Sequence, residues 1–168
     1  VKKDLKQGLP VLFSGTPCQT SGLRSYLSLL RINMNKLCVV DIICHGVPGP
    51  YFWRDYLTYI EQKQKARVIG VNFRDKSRLG WANHRESFIF ADGVVGAGTY
   101  ASVFCQSIMF RHSCGVCHFA NLQRPSDITI GDFWGYERVD ADFNADNKGV
   151  SLVLVNTRKG RILFDGVK

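Results

Sequence analysis

Apolar runs of strand length alternate with stretches of helical spacing through the first third of the chain. Pro10-Val-Leu-Phe-Ser14 reads as a short buried strand that Gly15 breaks, and a helix follows from Gln19 to roughly Ile32. Its start is well signalled. Thr16 is placed to cap, Pro17 suits the first helical position, and Gln19 stands three residues after Thr16, the spacing of a capping box. Cys18 then falls in the first helical turn. Leu37-Cys-Val-Val-Asp-Ile-Ile43 reads as a second buried strand, ending at the loop Cys44-His-Gly-Val-Pro-Gly-Pro50, which opens a helix from near Pro50 to Lys63. Strand, helix and strand in this order imply parallel pairing with a right-handed crossover. That geometry brings Cys18 and Cys44 to one sheet edge, where open α/β sheets bind ligands.

The middle of the chain is less regular. Val68 to Phe73 reads as a strand and Arg74 to Asn83 as a polar loop, while Ser87-Phe-Ile-Phe90 and Val94-Val95 suit a hairpin about Asp92-Gly93. Tyr100 to Arg111 has helical spacing of Val103, Phe104, Ile108 and Phe110. Ile128-Thr-Ile130 reads as a short strand ended by Gly131-Asp-Phe-Trp-Gly135, and Val150 to Val155 as another within the core stretch Lys148 to Thr157. Thr157 is placed to cap a last helix. The fold class expected is α/β: a mixed sheet with an N-terminal parallel βαβ unit, helices on its faces and a loop-borne Cys-x-x-Cys site.

At 168 residues with 45% hydrophobic and 12% aromatic content, the chain is expected to form a single domain over residues 1–168 without disulfide staples. The lack of Met at the start and the ending at Phe164-Asp-Gly-Val-Lys168, at an apparent helix, suggest a fragment. No run of eighteen uncharged apolar residues is present and the charged start has no apolar signal core, so a membrane span is not expected and the cytoplasm is the default compartment. The net charge of +8 favours acidic partners. Its basic residues are spread along the chain and no nucleic-acid motif accompanies them, so nucleic acid is not an expected partner.

The chemistry lies in the cysteines. Cys114 and Cys117, in His112-Ser-Cys-Gly-Val-Cys-His118, form a turn that points two thiolates at one centre. Alone, such a pair serves equally as half of an iron-sulfur site, half of a zinc site, or a dithiol redox site. Cys18, where helix amides and the helix dipole favour a thiolate, and Cys44, at a strand end, complete a set of four. Each would otherwise be a small core residue. Four is the number that a 4Fe-4S cluster or a four-cysteine zinc site takes. Cys38, inside a strand, and Cys105, inside an apolar helix, are expected in the core. His45, His112 and His118 flank the sites, and His45 is placed to donate to a cofactor or substrate anion; His84, in a polar stretch, is uninformative.

Six segments then carry a resemblance: Phe13-Ser-Gly-Thr-Pro-Cys-Gln19, Ile43-Cys-His-Gly-Val-Pro48, Phe73-Arg-Asp-Lys76, Cys114-Gly-Val-Cys-His-Phe119, Ser126-Asp-Ile-Thr-Ile-Gly-Asp-Phe-Trp-Gly135 and Lys148-Gly-Val-Ser-Leu-Val-Leu-Val-Asn-Thr157. In this order, from about Val11 to Gly160, they resemble the C-terminal domain of the beta subunit of coenzyme F420 hydrogenase/dehydrogenase. The resemblance implies an iron-sulfur flavoprotein oxidoreductase in which FAD and a 4Fe-4S cluster pass electrons to or from a partner. It implies a deazaflavin, coenzyme F420, or another small molecule as substrate, since relatives include a plant chlorophyll-derivative reductase. Many members carry a ferredoxin-like segment that this chain lacks, so a ferredoxin-like domain or redox subunit is the expected partner.

Cys18, Cys44, Cys114 and Cys117 fall within the matching segments and are the cluster ligands the resemblance implies. For the flavin it directs attention to the turn of Ser14, Gly15 and Thr16 with Gln19, where a pyrophosphate would meet a helix N-terminus, although Thr16 and Gln19 are equally suited to capping alone. Arg74 and Lys76 are placed to neutralise phosphate or an anionic reduced flavin, or else to lie solvated beside Asp75. Trp134, in Gly131-Asp-Phe-Trp-Gly135, is a candidate cofactor wall or a ring packed under its loop. The competing readings are a metal-stapled partner-binding module, with zinc or a cluster, and a dithiol enzyme using Cys114 and Cys117.

Overall fold

A computed structural model of the chain describes residues 1–83, 85–97 and 99–167, without the side chains of Leu79 and Ala97; His84, Gly98 and the terminal Lys168 lie outside the described residues. The elements in order are α1 (Lys2–Lys6), β1 (Val11–Gly15), α2 (Pro17–Leu29), β2 (Leu37–Ile42), α3 (Pro50–Gln64), β3 (Gly70–Asn72), α4 (Lys76–Leu79), β4 (Glu86–Phe90), β5 (Gly93–Ala97), α5 (Thr99–Cys105), α6 (His112–Gly115), β6 (Ile128–Asp132), β7 (Ser151–Val155) and α7 (Arg158–Asp165), with two 3-10 turns at Tyr136–Arg138 and Ala141–Asn144. They group into two compact units. The first comprises Val1–Cys44, His118–Tyr136 and Val150–Lys168, and the second His45–Cys117 and Glu137–Gly149.

The first unit is a four-stranded mixed sheet in the order β1-β2-β6-β7. β1 and β2 pair in parallel from Val11 against Leu37 to Gly15 against Asp41, β2 and β6 pair in parallel, and β7 closes the sheet antiparallel to β6. This is the expected N-terminal βαβ unit, and α2 crosses between its strands. Helix α2 begins two residues before the expected Gln19, because Pro17 supplies a helical φ and the Gln19 side chain accepts the Thr16 N–H at 2.9 Å. Leu27, Leu37 and Val39 are fully buried with Leu5 beside them, each burial contributing about 1.5–3 kcal/mol. A buried carboxylate fastens β6 to this core. Asp127 accepts from the Val39 N–H at 2.9 Å, the Arg24 guanidinium at 3.0 Å and the Thr157 hydroxyl at 2.8 Å, so its charge is matched on every side.

The second unit is built on an antiparallel sheet, β3-β4-β5, covered by α3. Tyr56 and Ile60 of α3 pack on Phe88 and Phe90 of β4, with Trp53, Val71 and Tyr100 around them. β4 and β5 form the expected hairpin with Phe90 opposite Gly93, so the turn residues are Ala91 and Asp92, one position earlier than expected. β3 is shorter than the expected Val68–Phe73, although Ile69 N–H still donates to Ile89 O at 2.9 Å; the Val68 N–H goes to the Glu61 carboxylate at 2.9 Å.

The stretch expected as a polar loop, Arg74 to Asn83, holds one turn of helix and two anchors. Asp75 accepts the hydroxyls of Ser87 and Ser77 at 2.7 and 2.8 Å, which hold its carboxyl below the usual range. Trp81 is 1% exposed and lies so close to Gly149 that a Cβ there would collide with its indole. Helix α5 ends at Cys105, six residues before the expected Arg111. Ser107 turns the chain with φ +62°, and residues 109–111 run beside 47–49 through Gly49 N–H to Met109 O and Arg111 N–H to Val47 O, both 2.9 Å.

Candidate functional site

The expected cluster ligands sit where elements begin or end. In the first unit, Cys18 is exposed in the first turn of α2, its sulfur 3.1 Å from the Thr16 hydroxyl. Cys44 follows β2 by two residues, and the Ile43 N–H donated to Ile130 O at 2.8 Å extends the strand almost to it. In the second unit, Cys114 rides on the one-turn helix α6 rather than in a loop, and Cys117 follows two residues after that helix. The Cys114 sulfur accepts the Val47 N–H at 3.4 Å, a contact between the Cys-x-x-Cys segment and the loop after Cys44. Gly46 permits this packing. A Cβ at Gly46 would enter the Phe110 ring.

None of the six cysteines is in a disulfide. Among the described residues, no group of three or more His, Cys, Asp or Glu side chains is gathered closely enough to hold a metal ion. Cys38 is half-buried in β2, as expected of a packing residue, and burial, followed by the Asp127 charge, pushes its thiol above the ordinary value. Cys105 corrects the expectation of a core position. It is exposed at the end of α5, a helix none of whose residues is buried.

His45 stands in the second unit between two rings, with centroids 5.2 Å from Phe104 and 5.1 Å from Phe110, and its Nε2 is 3.4 Å from the Ser107 hydroxyl. With Arg111, His112 and Cys114 it lines an open cavity of about 490 Å³. A second cavity of about 360 Å³ is mainly aromatic and aliphatic, walled by Phe73, Tyr100, Phe104 and Pro48 with Arg74 at its side. The Arg74 guanidinium donates to Trp81 O at 3.1 Å and lies 5.6 Å from the Trp81 ring, so it is anchored rather than solvated. Lys76 is exposed on α4. The aromatic walls were missed in the sequence, although Phe73 immediately precedes Arg74 and the four-residue spacing of Tyr100 and Phe104 puts both on one helical face.

In the first unit, Thr16 and Gln19 are engaged in capping α2, with the Thr16 hydroxyl 3.1 Å from Gln19 Oε1. Gly15 lies close under Gln19, where a Cβ would sit 3.1 Å from the same oxygen. Ser14 is exposed at the end of β1, and Trp134 is 48% exposed after β6. The flavin candidates are thus divided, with Ser14, Gly15, Thr16, Gln19 and Trp134 in one unit and His45, Arg74 and Lys76 in the other.

Residues 9–168 match a family model that describes the C terminus of the beta subunit in coenzyme F420 hydrogenase/dehydrogenase. The chain belongs to this family. The family takes its description from the beta subunit of coenzyme F420 hydrogenase/dehydrogenase. Among solved structures, a chain from the xenon-derivatised F420-reducing [NiFe] hydrogenase complex of Methanosarcina barkeri is similar at a TM-score of 0.54 and 18% identity. The match covers 99% of this chain and 51% of that one, so the chain spans about half the length of its structural neighbour. At that identity the likeness is one of fold. A comparison with curated proteins finds no match. No helix among the described residues is long and apolar enough to cross a membrane.

Proposed function

We propose that the chain is the iron-sulfur and flavin module of an oxidoreductase, with Cys18, Cys44, Cys114 and Cys117 as ligands of a 4Fe-4S cluster and FAD as the second cofactor. The observation that carries the reading is the family match over residues 9–168, which includes all four cysteines. The donor set suits the group, being four thiols outside disulfides, and Cys114 already accepts a backbone N–H as ligating sulfurs do.

For the flavin ring, the supporting feature is the cavity of Phe73, Tyr100 and Phe104, whose apolar walls suit a flat heteroaromatic system beside the Arg74 cation. The turn of Ser14, Gly15 and Thr16 before α2 is proposed for the diphosphate. Because the Thr16 N–H is taken by Gln19, Pro17 has none and the Thr20 N–H donates to Thr16 O at 3.0 Å, the Cys18 amide is the group proposed to serve it. His45 and Lys76 are proposed to face anionic groups of cofactor or substrate, and Trp134 to flank the cofactor. When bound, the cofactors supply hydride and single-electron transfer, while the protein supplies placement and charge. A deazaflavin or another small molecule is the proposed substrate, a ferredoxin-like domain or redox subunit the proposed partner, and the cytoplasm the proposed site of action.

Phe104→Ala and Arg74→Gln test the flavin site in anaerobically prepared protein titrated with FAD. Both are expected to weaken binding, Phe104→Ala by about tenfold for the loss of a stacked wall. Wild-type affinity in both variants would remove this cavity from the flavin assignment.

A further inference from the structure

Of the four places where the chain crosses between the two units, two lie beside proposed cluster ligands: it leaves the first unit after Cys44 and re-enters it after Cys117. One side chain in that unit holds the backbone beside both places. Arg124, 8% exposed, donates through Nη2 to Asp41 Oδ2 and Ile42 O, each at 3.0 Å, at the end of β2 just before Cys44. Through Nη1 it donates to Phe119 O at 3.1 Å and Asn121 O at 3.2 Å, in the turn just after Cys117. Its Nε reaches Thr129 Oγ1 of β6 at 3.3 Å.

The turn it grips is shaped by its own amides, Asn121 Nδ2 to His118 O and Gln123 N–H to Asn121 Oδ1, both 2.8 Å. Its counter-ion Asp41 is fully buried with Oδ1 unpaired, so the carboxylate depends on the guanidinium for its charge balance. A planar fork of donors satisfies a carboxylate and three carbonyls at once. A lysine presents a single charged centre and cannot span them.

We infer that Arg124 is a positioning residue for the metal site, fixing the first-unit backbone just before Cys44 and just after Cys117. The inference rests on the cluster reading above. It assigns to a residue that touches no sulfur a role beyond stability, as outer-shell groups have in metal sites.

The test compares Arg124→Met and Arg124→Lys with Lys159→Met, each reconstituted anaerobically as the full chain. Lys159 is a control from the same unit, since its ammonium ties Met34 O and Leu37 O at the opposite end of β2. The readouts are iron per chain, the rate of iron loss to a chelator, the EPR spectrum of the reduced protein and the thermal midpoint. Arg124→Met is expected to lose iron about tenfold faster with an altered EPR line shape, and Arg124→Lys to fall between it and the parent. Lys159→Met is expected to lower the midpoint while keeping the parent's spectrum and iron-loss rate.

A parental rate and spectrum in Arg124→Met would overturn the clamp, and so would equal changes in Lys159→Met, which would make the effect one of stability alone. If the parent takes up no iron, the cluster reading itself fails and the clamp falls with it. Iron in the parent with no effect at Arg124 removes the clamp only.

Discussion

Cys38 and Cys44 lie six residues apart, yet β2 gives them different fates. Cys38 is inside the strand, with a thiol raised by burial and by Asp127, whereas Cys44 is past the last paired residue at an element end. Replacing Cys44 with Ser is expected to remove most of the iron. Cys38→Ser and Cys105→Ser are expected to retain it, and full iron in Cys44→Ser would take that residue out of the ligand set. Tyr56 offers a pH-dependent test of the second unit. Burial first, then its hydrogen bond to Glu86 at 2.9 Å, pushes the phenol up to about 12 from an ordinary 10.0. The fold favours the neutral phenol, so this contribution is complete below pH 10 and lost as pH rises through about 12. Tyr56→Phe should cost about 1 kcal/mol near neutrality and show less loss of thermal midpoint across that alkaline range.

At the scale of elements, helix α7 is docked by close contacts. Thr157 accepts the Gly160 N–H at 3.0 Å as its cap and donates to Asp127, while Gly160 lies against the Asp127 carbonyl so closely that a Cβ would overlap it. Thr157→Ala is expected to cost about 1 kcal/mol and Gly160→Ala about 1–3 kcal/mol, read from denaturant midpoints. Unchanged stability in Gly160→Ala would mean that α7 shifts away from β6 at no cost. Helix starts were the most legible features in the sequence, because Thr16-Pro17, Pro50 and Thr157 act locally. The early end of α5 was not. It depends on residues 109–111 running beside 47–49, a contact between segments some sixty positions apart that no helical period contains. The buried Asp75 and Trp81 were hidden for the same reason, since their partners Ser87 and Gly149 come from other elements.

At the scale of the whole molecule, family membership covers residues 9–168 and the structural likeness spans half of the neighbour's chain. The places of Cys18, Cys44 and Cys114 beside element ends were legible, because Gly, Pro or capping residues mark those ends. The cavity walls and the Arg124 clamp were not, because they are assembled from side chains and carbonyls distant in sequence. The net charge of +8 suits an acidic redox partner, and such binding is expected to weaken as salt screens it. Salt-independent binding would show that apolar contacts dominate.

The central claim is that the four cysteines hold an iron-sulfur cluster. Elemental analysis of anaerobically purified protein for iron, zinc and acid-labile sulfide tests it most directly. The account predicts about four iron and four sulfide per chain and little zinc. One zinc per chain with neither iron nor sulfide would contradict it.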